Sequence, residues 1–400
     1  MSQVQKLLES HPHWAAVEAI YHRLQAHGYK AFLAGGCVRD ALLGIQANDL
    51  DLATDATPDQ IESLFEKTVN VGKVFGVMRV LVEGADIEVA TFRTDMDYKD
   101  GRRPEGVEFS SPQEDAQRRD FTVNALFYDL VSKDVLDYVH GQEDLAARIL
   151  RTVGEPEKRF QEDHLRLLRA ARFSAQLDFD IEERSFAAVS KMASLVKRVS
   201  GERIRDEMAK LLKAKALRRG LDIMSMSGLM KELFPFRERD NSWTDHPAVE
   251  AWQNFSLFFA KAEKSELEQG LKLLRLSVKE MRAIERAWTL WKSPEDFFKQ
   301  SMGQRLQRLQ EDGVLYALQI LLRQNTLWKL EIEELFAEWS FWQQQLPKPF
   351  LNGEDIKGQL SGKAIGECLA LAYEQQLERK LRSRDEALQW LQKYLEREPS

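Results

Sequence analysis

The chain has 400 residues and a mass of 46.2 kDa, more than one ordinary domain holds and enough for two or three. Its 44% hydrophobic and 30% charged residues describe a globular protein with a sizeable core. Its apolar runs fall short of the roughly 18 residues a spanning helix needs, and two cysteines, Cys37 and Cys368, exclude a disulfide framework or a four-cysteine zinc site.

The net charge of −7 is unevenly spread. Residues 1–150 carry 15 Lys+Arg against 25 Asp+Glu, whereas residues 151–220 carry 17 against 11. An acidic first part before a basic stretch suits a cation-binding head and a surface for an anionic partner, although charge alone favours plain solvated helix faces. Met1 to Trp14 shows no charged-then-apolar leader, so the expectation is a cytoplasmic protein.

In chain order, Trp14 to His27 reads as an amphipathic helix. Ala31–Ala34 is a short apolar strand running into Gly35-Gly36, with a helix from Cys37 to Leu43. Asp49–Ala53 alternates Asp with apolar residues, the pattern of a strand with one polar face. Thr57-Pro58-Asp59-Gln60 carries a helix-opening capping box. Phe75–Val82 and Ile87–Phe92 read as strands around a turn at Glu83-Gly84, and Phe121–Leu130 as a further β-prone stretch whose start is open to helix. After about residue 145 strand signals vanish and helical periodicity takes over. Most of the nine Trp lie in that helical part and read as packing residues. Breaks fall near Gly154-Glu155-Pro156, Phe234-Pro235 and Leu346-Pro347-Lys348-Pro349.

The sharpest local signal is Gly35-Gly36-Cys37-Val38-Arg39-Asp40 followed by Asp49-Leu50-Asp51. Two carboxylates on one strand face repel each other unless a cation lies between them, and an all-oxygen donor set suits Mg²⁺. Gly35 and Gly36 let the backbone approach a phosphate, and Arg39 adds a charge-assisted contact. Glu88 is the candidate third carboxylate, with Asp86, nearer the turn, as second choice. Arg118 and Arg119 form a pair suited to triphosphate oxygens. Asp120 and Asn124 either bond a ribose hydroxyl or fix the arginines. Asp163 and Arg166, three apart on an expected helix, share a face. By themselves they read as an intrahelical salt bridge. Asp245-His246 lacks a partner at metal-ligand spacing.

Taken together, the Gly-Gly-x-Val-Arg-Asp block with Asp49 and Asp51, and the Arg118-Arg119-Asp120-Phe121-Thr122-Val123-Asn124-Ala125 block, resemble the class II tRNA nucleotidyltransferases. That family holds the CCA-adding enzymes and their bacterial poly(A) polymerase relatives. Glu162-Asp163-His164-Leu165-Arg166 resembles its nucleotide-selecting motif, and Gly201-Glu202-Arg203-Ile204-Arg205-Asp206-Glu207 its neck-stabilising motif. The resemblance is dense over residues 31–212 and returns loosely at Asn352–Ile356 and Gln375–Glu378.

It implies an α+β fold: a nucleotidyltransferase-type mixed β-sheet head over 1–150, then an all-helical neck over 151–220, body over 221–345 and tail over 346–400. It implies stepwise addition of CCA to the 3′ end of tRNA from CTP and ATP, with pyrophosphate released by a two-metal mechanism using Mg²⁺. Asp49 and Asp51 would hold metal, and Glu88 would align the RNA hydroxyl. Gly35, Gly36, Arg39, Arg118 and Arg119 would hold the triphosphate, Asp120 and Asn124 the ribose. Asp163 and Arg166 would read the base, with Arg169 also in the nucleotide-binding set. An acceptor beside a donor fork matches the N4 amine and N3 of cytosine, or N6 and N1 of adenine, and mismatches uracil and guanine, a discrimination of roughly 1–3 kcal/mol. His164 reads as structural. Asp95–Pro104 resembles the loop implicated in the switch from C to A addition, which argues against a CC-only enzyme. Gly72-Lys73-Val74-Phe75-Gly76-Val77 looks more like the tRNA enzymes than the poly(A) polymerases. The alternatives are an A-adding enzyme with a CC-adding partner, a poly(A) polymerase, and a non-catalytic RNA-binding protein. No membrane association is expected, and no protein partner is inferable from the sequence.

Overall fold

A computed structural model describes residues 2–95, 107–237, 250–324 and 326–397. Beyond Asp95 itself the loop expected over Asp95–Pro104 lies outside these residues, as does Asp245-His246. The chain divides into two compact units, Met1–Asp245 and His246–Ser400.

The first unit opens with helices α1 (Gln3–Glu9) and α2 (Trp14–Ala26). Val17, Ile20, Tyr21 and Leu24 form the buried stripe of α2, which packs on the sheet. Strand β1 (Ala31–Ala34) turns at Gly35 into α3 (Gly36–Leu42). Next come β2 (Leu52–Thr54) and α4 (Pro58–Leu64), which starts with the expected Thr57–Gln60 capping box. Strands β3 (Thr68–Gly72), β4 (Val77–Val82) and β5 (Ala85–Thr91) follow. The β4–β5 hairpin turns through Glu83 and Gly84, both at positive φ, as the sequence predicted. Two short strands, β6 (Arg93–Asp95) and β7 (Val107–Phe109), pair with each other ahead of α5 (Pro112–Arg118). After a 3₁₀ turn at Thr122–Asn124 come β8 (Leu126–Tyr128), β9 (Val135–Asp137) and α6 (Gly141–Ala147).

Among the described residues seven strands form one sheet in the order β3-β4-β5-β2-β1-β8-β9. The β2–β5 pair is parallel and the others are antiparallel. Phe92, Phe127, Ala34, Ala53 and Ala116 make a buried cluster on one face.

Helices then dominate: α7 (Pro156–Glu162), α8 (Leu165–Leu177), α9 (Glu183–Met192), α10 (Gly201–Leu211), α11 (Leu217–Met226) and α12 (Leu229–Leu233). Both α10 and α11 pack on α8. The expectation that strands end near residue 145 fails in one detail. Ile149–Leu150 pairs in parallel with Asp180–Ile181, a two-residue ladder too short to give a periodic signal.

The second unit is helical throughout its described residues. One core gathers Leu290, Leu306, Leu318, Ile332, Leu335 and Leu377. A second gathers Leu351, Ile356, Cys368 and Leu391. The Pro347-Lys348-Pro349 segment, expected as a linker, is tied to the helix Lys363–Leu377: Tyr373 donates to the Pro347 carbonyl at 2.7 Å and Gln376 to that of Lys348 at 2.9 Å. The chain as a whole is thus α+β, a sheet-based head followed by helices, as the sequence implied.

Candidate active site

The site starts where β1 ends. Gly35 has φ 74°, and its N–H donates to the Leu126 carbonyl at 2.8 Å, tying the turn to β8. A Cβ here would stand 2.8 Å from Nη1 of Arg119, so glycine satisfies both the backbone angle and the close guanidinium. Arg39, on the α3 that follows, is 4% exposed. It donates through Nη1 to Asn124 Oδ1 at 2.5 Å, and through Nε and Nη2 to Asp40 at 2.8 and 2.6 Å.

The carboxylates come next. Asp49 and Asp51 do not lie within a strand: β2 begins only at Leu52. They still alternate around Leu50, which is 2% exposed, and the Asp51 carbonyl accepts from Ala34 N–H at 3.0 Å, which fixes this approach to β1. The parallel β2–β5 register pairs Leu52 with Val89, and one step back sets Asp51 beside Glu88. Burial, then the negative charges of Glu88 and Asp49, push the Asp51 carboxyl up to about 6. A divalent cation would relieve that repulsion, so these residues fit one. Among the described residues no group of three or more His, Cys, Asp or Glu could by itself hold a metal, a set consistent with an ion that takes one or two protein carboxylates and fills its shell with phosphate oxygens and water. Asp86, the second choice, is held instead by Arg79 at 2.7 Å in a half-exposed pair. Nearby Cys37 is raised to about 11, chiefly by burial, so its thiol stays protonated and is no nucleophile.

The arginine pair is built on α5, whose first turn is fixed by a Ser111–Glu114 capping box. Asp115, which sequence reasoning missed, is 2% exposed and accepts from both arginines. Arg118 donates at 2.8 and 2.6 Å to Oδ1, and Arg119 at 3.1 and 3.0 Å to Oδ2. The signal was available, since i+3 and i+4 spacing sets both arginines over Asp115 on one helical turn. Asp120 faces the other way. It accepts from Phe121 N–H at 2.8 Å, Asn124 Nδ2 at 3.1 Å and Arg169 Nε at 2.7 Å. Burial works against ionisation of Asp120, but Arg169 and the Asn124 bond outweigh it and bring the carboxyl down to about 2. The side chains of Asp120 and Asn124 thus hold Arg169 and Arg39 respectively, not the Arg118–Arg119 pair that the sequence reading had in view, which Asp115 holds instead.

Asp163 and Arg166 do not share a helix. Asp163 caps the end of α7 with extended backbone, and α8 begins at Leu165. The intrahelical ion pair is absent from their contacts. Asp163 accepts from Arg203 of α10 through both oxygens, at 3.1 and 2.8 Å. Arg166 donates to Glu162 at 2.8 Å and to the carbonyls of Arg159 and Arg118 at 3.0 and 2.9 Å. The break between α7 and α8 turns the two side chains into the cavity by separate routes. Arg172 pairs with Glu207, also on α10. His164 is 1% exposed and its Nδ1 lies 2.9 Å from the Phe160 carbonyl, a packing position.

Every one of these sequence-predicted residues lines a single cavity of about 640 Å³: Gly35, Gly36, Arg39, Asp49, Asp51, Glu88, Arg118, Arg119, Asp120, Asn124, Asp163, Arg166 and Arg169. Carboxylates gather from the segment just before β2 and from β5, cations from α3, α5, α8 and α10. Arg172 and Lys210, which were not singled out from sequence, extend the basic wall, as does Arg203 of the segment resembling the neck-stabilising motif.

Fold and cavity define the class. The poly A polymerase head domain family matches residues 31–151, and the family described as probable RNA and SrmB-binding site of polymerase A matches residues 178–240. The CCA-adding enzyme of Bacillus pumilus is 46% identical over 222 residues, 55% of each chain, so the chain spans about half the length of that relative. The CCA-adding enzyme of Bacillus subtilis is 39% identical over 348 residues, 83% of each chain. The crystal structure of the Bacillus stearothermophilus CCA-adding enzyme in complex with CTP superposes with a TM-score of 0.81 at 29% identity, covering 96% of this chain and 98% of that one. The chain belongs to the CCA-adding enzyme family.

Proposed function

We propose that this protein adds C, C and A in turn to the 3′ end of tRNA, using CTP and ATP and releasing pyrophosphate. The observation that carries the reading is the single cavity that joins a carboxylate cluster, a row of arginines and an Asp163–Arg166 pair. In each step the RNA 3′-hydroxyl oxygen bonds to the α-phosphorus as the bond from that phosphorus to the β-phosphate bridging oxygen breaks. Glu88 accepts the hydroxyl proton and aligns the oxygen. Asp49 and Asp51 would hold a divalent cation, Mg²⁺ by their all-oxygen chemistry, which when bound lowers the hydroxyl pKa and braces the leaving oxygen. Arg39, Arg118 and Arg119 orient the triphosphate with Gly35 and Gly36, where no Cβ stands in the way. Asp120 and Asn124 bond the ribose, backed by Arg169, which holds Asp120.

Asp163 and Arg166 select the base: the carboxylate accepts from an exocyclic amine and the guanidinium donates to a ring nitrogen, so uracil and guanine leave both groups unmatched. The helical part after residue 150 supplies cations for tRNA phosphates, read by charge and shape. No helix among the described residues is long and apolar enough to cross a membrane, and both cysteines are free; with a tRNA substrate this supports a cytoplasmic setting.

The test supplies purified protein and Mg²⁺ with tRNA ending at its discriminator base, and sequences the 3′ ends. CTP alone gives CC, and CTP with ATP gives CCA. Addition of one A only to tRNA already ending in CC reassigns the protein as an A-adding enzyme. Long A tails on any RNA reassign it as a poly(A) polymerase.

A further inference from the structure

We propose that Asp115 is the positioning residue for the triphosphate: one buried carboxylate that sets the direction of both Arg118 and Arg119. Each of its oxygens takes one guanidinium through two N–H groups, and Oδ1 also accepts from Arg93 N–H at 3.4 Å. Arg118 Nε reaches the Arg93 carbonyl at 3.0 Å as well, so the pair is braced against the β6 backbone. Arg119 is held further by donation from Nη1 to the Asn124 carbonyl at 3.0 Å and by the Phe127 ring, 4.9 Å away. The Arg118 carbonyl in turn receives Arg166 at 2.9 Å, which links the triphosphate arginines to the base-reading one. Burial raises the Asp115 carboxyl, and the two guanidiniums outweigh it, so the group stays charged.

The inference rests on the reading that Arg118 and Arg119 hold the triphosphate. Two physical effects oppose each other here. Asp115 cancels one of two positive charges, so by charge alone its removal strengthens nucleotide binding. It also holds two long, rotamer-rich side chains in one geometry, and misdirected donors forfeit bidentate contacts. Positioning dominates because each guanidinium loses its buried partner on both N–H groups at once.

Steady-state kinetics of full-length Asp115→Asn, with tRNA ending at the discriminator base for CTP and ending in CC for ATP, separate the two. We expect KM for both nucleotides to rise about ten- to a hundredfold, with KM for tRNA little changed, alongside the fall in melting temperature that loss of a buried, paired charge brings. A lower or unchanged nucleotide KM in a folded variant overturns the inference, as does a fall in melting temperature alone. Asp115→Glu keeps the charge and moves it by one methylene. Positioning predicts a raised nucleotide KM there too, and a wild-type value counts against it even if Asp115→Asn does not fold. Arg118→Ala and Arg119→Ala run alongside. If they leave nucleotide KM unchanged, the underlying triphosphate reading fails rather than the role of Asp115.

Discussion

Asp120 shows how a buried charge in the cavity is maintained. Four bonds from Phe121, Asn124 and both Nε and Nη2 of Arg169 favour its ionised form, and its carboxyl is lowered from 3.8 to about 2. A folded-state pKa below the unfolded value adds stability that is present above about pH 4 and is lost as pH falls through about 2. The Asp120→Asn variant is therefore expected to unfold at lower urea than wild type at about pH 6, with the gap narrowing by about pH 3. A gap independent of pH would deny the charge its part. Asp163 poses a different problem, since both its oxygens are spoken for by Arg203. On the proposed reading, that fork fixes the plane in which Asp163 would meet an exocyclic amine. Arg203→Ala should lower the ratio of kcat/KM for CTP over UTP by about tenfold, and an unchanged ratio would show that Asp163 is oriented by other means.

Local elements follow from short-range chemistry, and their ends decide the site. Capping boxes at Thr57, Ser111, Ser277 and Ser301 start four helices as their sequences dictate. Gly313 precedes the helix Val314–Arg323 and packs against the backbone of Ala283. It has φ 100°, and a Cβ there would stand 2.1 Å from the Ala283 carbonyl oxygen. Gly313→Ala should cost about 3 kcal/mol or more, read as a lower melting temperature, while nucleotide KM at low temperature stays at the wild-type value; an unchanged melting temperature would mean the backbone adapts. The long helices, the β4–β5 hairpin and the Gly35–Gly36 turn were legible because periodicity and turn residues are local. The strands β6, β7 and β9, three residues each, gave no period to read. The Asp163–Arg166 relation was misread because nothing local marks the two-residue break between α7 and α8. Arg203, 40 residues from Asp163, meets it only through the packing of α10 on α8. The membership of the cavity was legible from motifs, but the partners that orient its members were not.

Taken whole, the chain carries a net charge of −7, which by itself repels RNA. The charge is not shared evenly, and the distribution rather than the total governs binding. Asp49, Asp51 and Glu88 sit in the acidic first 150 residues, where a bound cation would offset them, while the excess of 17 Lys+Arg over 11 Asp+Glu falls in residues 151–220. Lys197, Arg198, Lys213, Lys215 and Arg218 there are exposed, and on the proposed reading they meet phosphates in water rather than in the cavity. Contacts of that kind release counterions, and each one steepens the fall of affinity with salt, by a slope of about −0.7 to −0.9 per phosphate neutralised. The proposed nucleotide contacts are different in kind, since Arg39, Asp120 and Asn124 are less than a tenth exposed and screening acts weakly on buried groups. Raising salt from about 50 to about 200 mM should therefore raise KM for tRNA steeply, by about tenfold or more, and KM for CTP far less. Equal sensitivity would mean that the triphosphate site is as open to solvent as the RNA surface. A flat tRNA response would remove the basic stretch from RNA binding and leave recognition to neutral contacts and shape.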